Sequence, residues 1–289
     1  MEIFPRIEVH AADHCTLACV GCNHASPHLE KRTYSAQDYI PWLDIIKRHN
    51  FEWNTLGISG GEPFIIQDGL NDFCLKLKQR YNSKIELFTN AFWLTSLDAI
   101  DKFATVFRNI HTLQISFYKP YVEKIGWENC QKFAEEIRTR FNIHVFSFVP
   151  NGVKSFGQVY FYDTPAPTDK SLQCMVKDCT QLTADGILYR CTYGHFLKTP
   201  IPSEGFKKSQ DIYFDLRNIN KKSLTQWRNK WPLDSCKFCG CGPGRIIWTD
   251  WRSDPKIKNM NRDEYLEYLQ GITSSKLTQL NHKRKINLL

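Results

Sequence analysis

Between His10 and Pro27 the chain reads HAADHCTLACVGCNHASP, which sets Cys15, Cys19 and Cys22 at C-x3-C-x2-C spacing directly after a strand-like segment. Thiolates are the standard protein ligands of iron–sulfur clusters. Three of them on one tight loop can hold three irons of a [4Fe–4S] cube and leave the fourth iron open to a substrate or cofactor. Structural zinc is the competing chemistry; it asks for four closed ligands, and His24 could supply the fourth. Cys74 and Cys130 stand alone in helix-like stretches and read as core thiols, because free cysteine is among the most buried residues. The other six, Cys174, Cys179, Cys191, Cys236, Cys239 and Cys241, gather in the C-terminal half.

The bulk composition bounds what these thiols can mean. The chain has 289 residues, room for one large domain or one large and one small. Its 19 Phe, 12 Tyr and 8 Trp supply a large packed core. No apolar run has the length of a membrane span, so no membrane association is expected. The first residues, MEIFPRIEVH, lack the basic and apolar regions of a secretory signal. The expected location is therefore the cytoplasm, where thiols stay reduced. Eleven cysteines, an odd number and clustered, then read as metal ligands rather than a disulfide framework. A net charge of +8 favours an anionic substrate or partner, part of the excess lying in the tail NHKRKINLL. There is no basic and aromatic stripe of a nucleic-acid module, so no nucleic-acid partner is expected.

The elements that must position the early cysteines alternate along residues 1–150. PRIEVHA reads as a strand; SAQDYIPWLDIIKRHN has helical period with Ser35 as its N-cap; TLGIS is a strand running into the turn GGEP. Helix-like DGLNDFCLKLKQRYN, SLDAIDKFATVFRN and ENCQKFAEEIRTRF then alternate with strand-like KIELFTN, TLQISFY and IHVFSFVP. Five or six such repeats predict a parallel sheet with helices outside and ligands at the carboxyl ends of its strands. After Pro150 the alternation stops. TPAPT reads as a linker, CTQLTADGILYRC as a hairpin turning at Asp185-Gly186, and NMNRDEYLEYLQ, residues 259–270, as a closing helix. The expected division is residues 1–165, 166–250 and 251–289, the last being a helix and basic tail.

The spacing of Cys15, Cys19 and Cys22 is that of the radical S-adenosylmethionine (radical SAM) superfamily, which the chain resembles over residues 6–150. The resemblance implies a partial (β/α)6 TIM-like barrel. It also implies a [4Fe–4S] cluster whose open iron chelates SAM, and cleavage of SAM to a 5′-deoxyadenosyl radical that abstracts hydrogen from substrate. Gly60, Gly61, Glu62 and Pro63 resemble the family's GGEP motif, which bonds the SAM amino group; Glu62 could accept from that ammonium. Asn90, in LFTNAF, resembles a residue facing the methionyl or ribose group, and Ser116, in QISFYKP, a ribose-facing position. One departure stands out: the family usually has an aromatic residue before the third cysteine, where this chain has Gly21.

Cys174, Gly186 and Cys191 are spaced as in the opening of the family's twitch and SPASM extensions. The implied auxiliary [4Fe–4S] ligands are Cys174, Cys191, Cys236 and Cys239, with Cys179 an alternative to Cys174 and Cys241 to Cys239. Zinc remains open at this second set too. Cys179 and Cys241, if not ligands, are candidate hydrogen-atom donors to a substrate radical, as in some radical SAM epimerases. The implied enzyme dehydrogenates or epimerises a small, polar, carbohydrate-like substrate and takes electrons from a flavodoxin or ferredoxin. Two other readings are modification of a ribosomal peptide and a non-catalytic zinc-stabilised binding protein.

Overall fold

The computed structural model describes residues 2–19, 22–148, 156–157, 165, 174, 177–199, 202–239, 245–246 and 264. It opens on β1 (Glu2–Ala12), which leads through the cysteine loop to α1 (Ile40–Arg48). That helix starts five residues after Ser35. The Asp38 carboxylate accepts from the N–H and hydroxyl of Ser35 at 2.7 and 2.8 Å and closes a 3-10 turn first. Pro41, with no N–H to donate, is tolerated only in the helix's first turn.

Then come β2 (Phe51–Gly60), α2 (Gly69–Tyr81), β3 (Lys84–Thr89), α3 (Asp98–Lys102), α4 (Ala104–Asn109), β4 (Thr112–Ser116), α5 (Lys119–Ile125), α6 (Trp127–Phe141) and β5 (His144–Phe148). α2 and α6 end at Asn82 and Asn142, both in the left-handed conformation asparagine tolerates at a helix end. β6 (Phe156–Gly157) is followed by β7 (Cys179–Leu182), β8 (Ile187–Tyr189), α7 (Glu204–Lys208), β9 (Tyr213–Asp215), α8 (Lys221–Asn229) and β10 (Arg245–Ile246).

The architecture is mixed α/β. Eight strands form one mostly parallel sheet in the order β5-β4-β3-β2-β1-β7-β8-β9. β1 to β5 run parallel in sequence, as the alternating pattern predicts. β6 does not join them; it pairs antiparallel with β10. The hairpin at Asp185-Gly186 forms as expected, with Gly186 at φ +81°. Its first strand, β7, returns to pair in parallel with β1, Arg6 opposite Cys179 and Glu8 opposite Gln181. The sheet thus continues past residue 166, where the sequence suggests a boundary.

Because side chains alternate across a strand, the register sorts the sheet into two faces. Ile7 and Val9, Leu56 and Ile58, Ile85 and Leu87, and Leu113 share one face and pack with the helices in the core. Cys74 and Cys130 are buried in that core. The opposite face carries Arg6, Glu8 and His10 of β1, with Ser59, Glu86, Gln114, Cys179 and Gln181 beside them in register. Among the described residues no helix is long and apolar enough to cross a membrane. The TPAPT linker (Pro165 apart), the helix over 259–270 (Glu264 apart), the basic tail, Gly21 and Cys241 lie outside the described residues.

Candidate active site at the carboxyl edge of the sheet

The loop holding Cys15, Cys19 and Cys22 leaves the carboxyl end of β1 and is closed at its base. Asp13 N–H donates to Arg32 O at 3.0 Å and Tyr34 N–H to Ala11 O at 2.9 Å. Inside it the chain coils tightly: Cys22 N–H reaches Cys19 O, Ala25 N–H reaches Cys22 O, both at 3.2 Å, and Ala25 sits at φ +57°. The coil turns the backbone N–H groups of His24, Ala25 and Ser26 toward the Cys22 sulfur. The Cys15 sulfur accepts from Leu17 N–H at 3.4 Å and from Asn90 Nδ2 at 3.2 Å. Burial pushes Cys15 up to about 12, with Glu62 adding to the rise, and also raises Cys22. All three cysteines lie near the buried phenol of Tyr118, just past β4, whose pKa burial and those sulfurs raise.

Half-buried thiols that face N–H donors, as Cys15 and Cys22 do, are suited to be thiolates beside a cation. The residues therefore fit a [4Fe–4S] cluster held by Cys15, Cys19 and Cys22. Among the described residues no three His, Cys, Asp or Glu side chains converge on a single-ion site; cluster thiolates bind different irons and need no such convergence. His24 turns Nδ1 to His10 Nε2, 3.2 Å away.

The turn after β2 is stitched onto this loop. Gly61 N–H donates to Ala12 O at 2.7 Å and Glu62 N–H to His14 O at 3.1 Å. A Cβ on Gly61 would stand 2.0 Å from His14 O, and one on Gly60, at φ +122°, 2.2 Å from Ala12 O. Only glycine lets the two backbones come this close. Glu62, followed by Pro63 at the head of a 3-10 turn, is wholly buried. Its carboxylate accepts from Thr89 Oγ1 and Asn90 N–H, both at 2.7 Å, and from Phe64 N–H at 3.2 Å. Burial raises its pKa to about 7 against those bonds. A carboxylate has about four acceptor sites, so Glu62 is chiefly a strut between β2 and β3 with little capacity left for a ligand.

Asn90 extends the strut, its Nδ2 also donating to Thr16 Oγ1 at 3.0 Å. Gly60, Gly61, Glu62, Pro63 and Asn90 are thus brought together with Cys15. Ser116 ends β4 on the same edge and bonds to the Tyr118 phenol.

Below this edge lies a polar network that the sequence reading missed. Glu8, 3 % exposed, accepts from Arg6 Nη1 at 3.0 Å, from Ser59 Oγ at 3.3 Å and from the Gln181 amide. Arg6 also pairs with Glu86 at 3.0 Å. His10 bonds Asp13 at 2.9 Å, and Asp13 accepts from Tyr34 OH at 2.6 Å. His195 stacks on His10 with ring centres 4.0 Å apart and meets Gln181 Oε1 at 3.4 Å. Burial pushes His24 down to about 4 and holds His195 well below the ordinary imidazole value. The available signal was the alternation of Arg6, Glu8 and His10 with Ile7, Val9 and Ala11 in a strand buried on both faces.

Cys179 belongs to this inner face. Its sulfur lies 3.8 Å from Arg6 Nη1, and burial, with Glu8 adding, pushes the thiol up to about 12. Cys191 follows β8 and opens the 3-10 turn Thr192–Lys198, while Cys236 and Cys239 bracket the end of a second one, joined by Cys239 N–H to Cys236 O at 3.2 Å. Arg190, which directly precedes Cys191 in the chain, feels the charge of both Cys191 and Cys236, so Cys236 lies within electrostatic reach of this end of the hairpin. Cys174 is half-buried.

No protein-family model matches the chain, and no curated protein matches it. Solved structures do. The crystal structure of BtrN in complex with AdoMet and 2-DOIA is 14% identical, with a TM-score of 0.46 over 83% of this chain and 94% of that one. BtrN in an open conformation is 12% identical, with a TM-score of 0.43 over 79% and 81%. Streptococcus suis SuiB bound to precursor peptide SuiA is 10% identical, with a TM-score of 0.37 over 68% and 61%. At such identities and scores the side chains, not the likeness, carry the functional reading.

Proposed function

We propose that the chain is a radical SAM enzyme that abstracts hydrogen from a small, polar, carbohydrate-like substrate, leading to its dehydrogenation. The observation that carries this is the joining of the GGEP turn to the cysteine loop through Gly61 and Glu62, with Asn90 donating to the Cys15 sulfur. Three buried or half-buried thiols, two of them with inward N–H donors, at the carboxyl edge of a parallel sheet, suit a cluster that leaves one iron for SAM. Bound there, cluster and SAM would supply the 5′-deoxyadenosyl radical.

The protein's own part is position and shielding. Cys15, Cys19 and Cys22 hold the cluster; Glu62 fixes the end of β3; Asn90 and Ser116 face the ligand edge. The inner face, with Glu8, Gln114, Gln181 and Ser59, is polar, and a hydroxyl-rich molecule would have to join a network in which Glu8 and Gln181 are already bonded to Arg6, Ser59, His195 and each other. Arg6 is already paired with Glu8 and Glu86, so an anionic group on the substrate would find its cation elsewhere. Epimerisation is the second reading, supported by the place of Cys179 on that face as a half-buried thiol whose pKa burial raises to about 12. An auxiliary [4Fe–4S] cluster on Cys174, Cys191, Cys236 and Cys239, and an external flavodoxin or ferredoxin, complete the proposal.

Anaerobic purification and reconstitution should yield about eight irons with matching sulfide, two four-iron cubes, and 5′-deoxyadenosine after SAM and dithionite are added. Cys15→Ala should abolish SAM cleavage and keep about four irons. Zinc without sulfide or cleavage would overturn the proposal. With substrate in hand, Cys179→Ala should stop product but not 5′-deoxyadenosine if the reaction is epimerisation; unchanged product removes Cys179 as the donor.

A further inference from the structure

Arg190 directly precedes Cys191 and lies within electrostatic reach of Cys236, and its surroundings are unusual for a cation. The residue is 8% exposed. Its Nε is fully buried and has no hydrogen-bond partner. Two indole rings, rather than a carboxylate, face the guanidinium, Trp227 at 5.5 Å and Trp231 at 5.8 Å from their centroids. The charges near it are the thiols of Cys191 and Cys236, Asp178 and the like-charged Arg228. The backbone of Arg190 is fixed by its N–H to Ile212 O at 2.8 Å, so the side chain is aimed there by the hairpin itself. Nearby polar atoms share the deficit: Thr192 Oγ1, next to Cys191, and Trp231 Nε1, against Arg190, are buried without partners.

Among the described residues no carboxylate is hydrogen-bonded to this guanidinium, Asp178 acting only at longer range, and an unmet buried donor is unfavourable. The Arg190 Nε–H, the Trp231 indole N–H and the Thr192 hydroxyl can all donate, and Arg190 and Thr192 flank the candidate ligand Cys191 in the chain. Thiolate-ligated cubes carry net negative charge and accept hydrogen bonds at sulfur. Resting on the radical SAM reading above, we propose that Arg190 is the counter-cation of an auxiliary iron–sulfur cluster held by Cys191 and Cys236, donating N–H to its sulfur atoms and raising its reduction potential. The direction follows from charge: a fixed cation stabilises the reduced, more negative form. Arg190 is on this account a positioning and tuning residue, with the rings of Trp227 and Trp231 beside its guanidinium.

The test uses the full-length chain with Cys15, Cys19 and Cys22 replaced by Ala, so that any remaining cluster signal belongs to the second set. Reconstituted, it should hold about four irons and four sulfides. An EPR-monitored redox titration of this protein and of its Arg190→Met derivative should show the midpoint falling in the variant. The expected fall is at least about tenfold in the oxidised-to-reduced balance, about 59 mV for one electron. An unchanged midpoint with full iron overturns the role of Arg190. Should the Met variant lose its iron, pulsed EPR on the parent labelled with 15N-arginine decides. A 15N coupling to the reduced cluster supports the proposal, and its absence overturns it. If the parent binds no iron while the unmutated chain still cleaves SAM, the auxiliary cluster fails and the radical SAM reading survives.

Discussion

At the residue scale the site depends on groups whose charge state burial controls. The unfolded chain takes up protons on imidazole near pH 6.5, whereas His24 does so at about 4 and His195 well below the ordinary value. The unfolded state therefore binds more protons between those limits, and stability is lost as pH falls from 6.5 toward about 4. From about pH 7.5 to about pH 5.5 the expected loss is about 1 kcal/mol per imidazole. Urea midpoints at both pH values should show a smaller loss for His195→Gln; an identical loss would mean that His195 protonates freely in the folded protein. Asn90→Ala removes the N–H that meets the Cys15 sulfur. It should keep its iron yet slow SAM cleavage by about 10- to 100-fold, the usual cost of losing a group that orients a metal ligand; an unchanged rate would assign Asn90 to loop structure alone.

At the scale of elements, the meeting of the β2 turn with the cysteine loop is the sensitive joint. Gly61→Ala sets a methyl group against the His14 carbonyl. The cysteine loop must shift, and iron should drop from about eight to about four per chain with the circular dichroism unchanged; full iron would show that the loop adapts. Much of this level was legible. Period-two and period-3.6 patterns mark β1 to β5 and the helices between them other than α5, and Asp185-Gly186 marks the hairpin, because these signals are local. The first turn at Ser35, the break of the third helical stretch at Phe103 into α3 and α4, and the separate sheet of β6 and β10 were not legible. They depend on capping and on distant partners. The C-x3-C-x2-C spacing and the GGEP turn could be picked out because the chemistry they suggest needs fixed residue types at fixed spacing. The His10, His24 and His195 contact could not, since nothing local ties β1 to a turn near residue 195.

At the scale of the molecule, β7 joins the two cysteine sets in one sheet. Arg6 faces Cys179 and Glu8 faces Gln181 across that joint, so the inner polar face is complete only when the C-terminal half is present. Removing residues 177–289 would leave the β1 edge unpaired, with Glu8 stripped of Gln181. Exposed edges invite association, and buried charges without partners destabilise. Size-exclusion chromatography with light scattering should therefore find the shortened chain aggregated where the full chain is monodisperse. A monomeric, folded fragment would show that β1 to β5 are self-sufficient.

The place of β1 also has a meaning in time. It is synthesised before both of its neighbours, and one of them is a strand about 170 residues away along the chain, a separation that slows closure. On the ribosome the first cysteine loop emerges long before the strand that closes its flank. Its thiols must then wait, on a half-made sheet, for a partner still being translated. On the proposed reading, cluster loading at Cys15, Cys19 and Cys22 and completion of the chain would overlap in time.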